Sequence, residues 1–138
     1  MTDKTESAAE SRPLSPHLQV YRWPLSMAVS IVHRITGVGL ALGTVILAWW
    51  LIAAAMGPDA YAVFESVAAT WFGKLVLAGI TFSLMFHLCN GVRHLIWDLG
   101  FGFSIKVSYL SGLGVIGAAL LLTAAIAWVA LRATGTLG

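Results

Sequence analysis

The chain has 138 residues, of which 59% are hydrophobic and only 10% charged, and its mean hydropathy is +0.86. This composition excludes an ordinary soluble domain and specifies a membrane protein. The net charge of +2 is too small to indicate nucleic acid, and the lone Cys89 excludes an intrachain disulfide and a cysteine-built metal site.

Residues 1–25 form a polar arm with Pro13, Pro16 and Pro24, expected to lie outside the lipid on the cytoplasmic side. No short apolar stretch with a small-residue cleavage site precedes the first span, so the arm does not read as a signal peptide. Asp3, Glu6 and Glu10 argue against a mitochondrial presequence, which is normally poor in acids, and favour a bacterial inner membrane. The remainder, 26–138, reads as an all-α integral membrane domain of three transmembrane helices. A crossing needs about 20 helical residues. The stretches 26–56, 71–97 and 107–132 each satisfy that length, and no soluble catalytic domain fits in what remains.

Pro24 stands where a helix start tolerates it. Gly57-Pro58-Asp59 breaks the chain after the first span. Residues 60–70, with Tyr61, Phe64 and Glu65, predict a short interfacial helix before the second span. Gly100-Phe101-Gly102 ends the second span and turns the chain back. Lys4, Arg12, Arg22 and Arg34 lie before or early in the first span, and Arg93, His94 and Lys106 flank the second connection. Positive charge accumulates on the cytoplasmic side, so the N-terminus is expected in the cytoplasm and the C-terminus in the periplasm. Gly39 and Gly43, and the cluster Gly112, Gly114 and Gly117, predict close helix packing. Trp49, Trp50, Trp71, Phe72 and Trp97 read as an interface belt without chemistry.

The chemistry lies elsewhere. An ionisable side chain within a span costs roughly 2.5–3.5 kcal/mol, and such residues usually mark function. His87, Gly91, His94 and Asp98, spaced by four, three and four, fall on one helical face. His87 lies roughly 15 Å of helix from the cytoplasmic end, and Gly91 leaves a groove beside it wide enough for a flat macrocycle. A buried neutral imidazole suits a haem iron. Arg93 and His94 lie nearer the cytoplasmic end, where they meet anionic groups or snorkel to lipid phosphates.

The first span carries a matching polar patch of Ser30, His33, Arg34 and Thr36. Ser30 and Arg34 are four apart and stack on one face. A guanidinium fork suits carboxylates such as haem propionates, and a hydroxyl can donate to a quinone oxygen. Each residue also has a plain structural role open to it: Arg34 as a topology determinant, Ser30 bonding back to its own helix, His87 as a structural hydrogen bonder. Two polar patches at one level of the membrane favour a redox or proton-handling subunit. His87 and His94 lie on the same side of one helix and cannot straddle one iron. A sixth ligand must therefore come from another helix, either through His33 or from a partner subunit.

The stretch Arg12-Pro13-Leu14-Ser15-Pro16-His17-Leu18-Gln19-Val20-Tyr21-Arg22, followed by Ser30-Ile31-Val32-His33-Arg34-Ile35-Thr36-Gly37, resembles the first signature of the cytochrome b556 subunits of succinate dehydrogenase. His87, three residues on, Gly91-Val92-Arg93-His94-Leu95-Ile96-Trp97-Asp98-Leu99-Gly100 resembles the second. The similarity covers the chain beyond the first ten residues and includes the three-span plan. It implies the larger membrane anchor of respiratory complex II, an enzyme of the tricarboxylic acid cycle and electron transport. By that resemblance His87 is an axial ligand of a b-type haem, and a second, smaller anchor subunit supplies the other ligand. Ser30 and Arg34 contribute to the ubiquinone site at the boundary with the iron–sulfur subunit. His33, Arg34 and His94 stand near the haem propionates, and Asp98 delivers protons to reduced quinone. The arm, with His17, contacts the iron–sulfur subunit, and succinate is oxidised on a separate flavoprotein subunit. The chain would then be inactive alone. The anchor of a quinol:fumarate reductase and a haem-free transporter or structural subunit are the alternatives. Bound haem and a response to quinone inhibitors distinguish the last from the other two.

Overall fold

The computed structural model describes residues 22–135, and all regular structure among them is helical. The elements are α1 (Leu25–Met56), α2 (Pro58–Ala68), α3 (Trp71–Asp98) and α4 (Ile105–Ala133). Helices are what an apolar chain must form in lipid, because every backbone polar group has to be satisfied within the segment. Three of them, α1, α3 and α4, are long and apolar enough to cross a membrane. They reproduce the three expected spans to within a residue or two. A short helix forms before the second span, as expected, as α2, and the predicted arm lies almost wholly outside the described residues.

The breaks follow local chemistry. Gly57 has φ of 107°, a conformation that glycine adopts without strain, and Pro58 then opens α2 at its first turn. Thr70 caps α3 by accepting from the Gly73 N–H at 3.0 Å, and Ser104 caps α4 by accepting from Val107 at 3.4 Å. Between α3 and α4 the turn runs through Gly100 and Gly102, both at positive φ (88° and 84°).

The central helix is α3, packed on α1 to one side and α4 to the other. The core is thin. Val29, Phe86, Val115 and Ala119 are buried, with Leu25, Val32, Phe82, Met85, Cys89 and Ile116 packed around them. Most large apolar side chains instead face outward, Leu42, Leu84, Leu95 and Leu121 among them, as spans in contact with lipid and other helices require. The two glycine groups behave differently. Gly39 and Gly43 lie against Ser83 and Ile80, and Gly112 against Leu25 and Val29, so these three admit close approach. Gly114 and Gly117 face open space. Of the α4 cluster, Gly112 alone makes its close packing within this chain.

Candidate functional site

Three histidines from two helices come together. His33 of α1 stacks on His87 of α3 with ring centroids 3.8 Å apart and planes 16° apart. His94, two turns further along α3, is tilted against His33 at 5.7 Å. The periodicity of α3 puts His87 and His94 on the side facing α1, and His33 fills the space between them. Gly37 makes the approach possible, since a Cβ there would stand 3.5 Å from His87 Cε1 and anything larger would enter the imidazole's place.

Thr36, 4% exposed, lies beside the His87 ring. Its hydroxyl donates to the His33 carbonyl at 2.9 Å, which leaves its oxygen free to accept. His87 Nδ1 stands at a long 3.5 Å from that oxygen. If Nδ1 carries the proton, Nε2 keeps its lone pair for a ligand, the usual way in which an outer contact fixes a histidine's tautomer. His33 Nδ1 is buried and has no hydrogen-bond partner among the described residues. The stacked arrangement also bears on the two sources of a sixth ligand. Rings lying face to face do not address one atom from opposite sides, so His33 and His87 as placed are not a pair of axial ligands. Among the described residues no group of three His, Cys, Asp or Glu is arranged to hold a metal ion.

Beside the trio the surface is open. Gly91, half-buried, has nothing within 4 Å of where a Cβ would stand, in line with the groove read from sequence. Ser30 and Arg34 are exposed, one turn apart on α1, on the side of the helix that carries Gly37. Among the described residues neither is hydrogen-bonded, so Ser30 does not bond back to its helix. Asp98, the last residue of α3, is exposed one turn beyond His94.

Arg93 departs from expectation. Instead of snorkelling it is 5% exposed and turned into the α3–α4 interface. Its Nε donates to Ser111 Oγ at 2.9 Å, and Nη2 donates to the Ser108 carbonyl at 2.9 Å and hydroxyl at 3.1 Å. Nη1 reaches Asn90 Oδ1 at 3.4 Å, and the guanidinium lies 3.9 Å over the Trp97 ring. Trp97 also meets His94 edge-on at 5.1 Å. It is thus a structural bridge between the arginine and the histidine trio, not only a member of an interface belt. Asn90 is fully buried and its Nδ2 has no partner among the described residues. Neither Asn90 nor the serine pair stood out in the sequence. The Ser108–Ser111 spacing of three, opposite an intramembrane arginine, was the signal available.

Residues 8–126 match the family described as succinate dehydrogenase/fumarate reductase transmembrane subunit. The chain belongs to that family. Among its relatives, the succinate dehydrogenase cytochrome b556 subunit of Paracoccus denitrificans is 44% identical over 81% of this chain and 86% of its own. The subunit of the same name from Rickettsia felis is 41% identical over 89% of this chain and 96% of its own. The mouse mitochondrial cytochrome b560 subunit is 35% identical over 88% of this chain and 73% of its own. Together with the three apolar helices, membership makes this transmembrane subunit a multi-pass protein of a bacterial inner membrane.

Proposed function

We propose that this transmembrane subunit anchors a succinate:ubiquinone oxidoreductase, binds a b-type haem together with a second anchor subunit, and contributes to the site where ubiquinone is reduced. The observation that carries this reading is the seating of His87. Its ring stacks on His33 and lies close to Gly37, its Nδ1 stands 3.5 Å from the Thr36 hydroxyl, and Gly91, one turn along the same face of α3, has open space beside it. The buried, unpartnered Nδ1 of His33 also suits a neighbouring acceptor such as a propionate. The residues therefore fit a haem held noncovalently: His87 would ligate its iron, and His33, Arg34 and His94 would meet its carboxylates. When bound, haem supplies a one-electron redox centre. His33, stacked on His87, is not placed to hold the same iron with it, so the other ligand would come from the smaller anchor subunit.

Ser30 and Arg34 do the quinone chemistry that this chain can do. Reduction places two electrons and two protons on the quinone. A hydroxyl donor orients one carbonyl oxygen, and a permanently charged guanidinium favours the negative charge that builds there before protonation. Asp98, exposed at the same end of α3, passes protons from the cytoplasm. The start of α1 faces that cytoplasmic side, where the iron–sulfur subunit docks, and succinate is oxidised on the flavoprotein. The names of the relatives favour succinate oxidation over the fumarate reductase direction.

Ser30→Ala tests the quinone assignment. A hydrogen bond of about 0.5–1.5 kcal/mol corresponds to a loss of roughly 2–13-fold in kcat/KM for ubiquinone. Succinate-dependent quinone reduction should fall by that factor with haem content unchanged. Wild-type kcat/KM in the variant would remove Ser30 from the site.

A further inference from the structure

The most unusual group in the molecule is Arg93. A guanidinium holds its charge at physiological pH, and this one is 5% exposed between two membrane helices. Its partners are neutral: Ser111, Ser108, Asn90 and the face of Trp97. Among the described residues no carboxylate pairs with it. Hydrogen bonds from neutral acceptors hold the charge without cancelling it, and in a low-dielectric interior its field is little screened. Arg93 is six residues along α3 from His87, about 9 Å of helix rise. Through Trp97 it is one contact removed from His94.

We propose that Arg93 is a positioning residue that keeps a fixed positive charge beside the haem site, raising the haem's reduction potential while its bonds to α4 set which way α3 presents His87 and His94. The inference rests on His87 being a haem ligand. Gaining an electron makes the iron centre less positive, so a nearby fixed cation favours the reduced state. The same guanidinium fork fixes α3 in rotation, because it engages two positions one turn apart on α4.

Three variants of the purified complex separate charge from geometry. Arg93→Met removes the charge, and Ser111 remains satisfied by the Ser108 carbonyl it already donates to at 3.1 Å. Ser111→Asp keeps Arg93 but places a carboxylate beside its Nε. Arg93→Lys keeps the charge and loses the fork. Redox titration followed in the haem spectrum should give a more negative midpoint for Arg93→Met and Ser111→Asp. Arg93→Lys should keep the wild-type midpoint but melt at a lower temperature. Haem held at the wild-type potential in either charge-cancelling variant would overturn the proposal. So would a shift in Arg93→Lys as large as in Arg93→Met, or loss of haem from both charge-cancelling variants, which would make Arg93 a structural staple alone. A wild-type complex without haem would instead overturn the ligand reading of His87, and this inference with it.

Discussion

His87→Ala should abolish the b-type spectrum of the purified complex. Loss of an outer-shell partner alone typically costs about 10–100-fold in metal affinity, and removal of the axial nitrogen itself should exceed that. His33 is not placed to substitute, because its ring lies face to face with the ring that is lost. The deletion leaves a space shaped for an imidazole beside Gly37 and His33, so added imidazole should restore part of a low-spin spectrum. His33→Ala, by contrast, should retain haem at reduced occupancy, since it removes a neighbour and not the ligand. An unaltered low-spin spectrum in His87→Ala would withdraw the ligand assignment.

Gly37→Leu should have the second largest effect. A Cβ at this position would stand 3.5 Å from His87 Cε1, an ordinary contact, so Gly37→Ala should be nearly neutral. Leucine extends beyond that point into the volume of the imidazole. Overpacking of this kind costs about 1–3 kcal/mol, and here the side chain that must yield is the proposed ligand. Haem content per complex should drop several-fold in Gly37→Leu and stay near wild type in Gly37→Ala. Equal haem content in the two variants would mean that the close passage of α1 across His87 is not needed for binding. The readout is haem content, so the effect is separable from a general loss of assembly.

Both predictions depend on geometry that was only partly legible in the sequence. The spans were legible because an apolar run of membrane length has only the helix available to it, and Gly57-Pro58, Gly100 and Gly102 mark where it stops. The face bearing His87, Gly91 and His94 was legible from the 3.6-residue period. The partner of that face was not. Periodicity says which residues share a side of α3, but not that His33 rises between the two histidines or that Gly37 makes room for it. Thr36 stood out as polar, yet its use depends on α1 and α3 meeting in one register, and Thr36 and His87 stand 51 positions apart in sequence. Arg93 is the clearest case of a misleading local signal. A basic residue near the end of a span ordinarily reaches for the interface, and only the two serines of α4, supplied by a different helix, turn it inward. The glycines of α4 show the converse. Composition marked three as packing positions, but in this chain only Gly112 meets a neighbour.

The most direct test of the central claim is a dithionite-reduced-minus-oxidised visible spectrum of the complex purified from its native membrane through this subunit, with its co-purifying subunits identified. The α band of a b-type cytochrome, alongside a flavoprotein, an iron–sulfur protein and a second small membrane subunit, is the predicted result. A spectrum without haem, from a preparation without those partners, would contradict it and return His87 to the role of a structural side chain between α1 and α3.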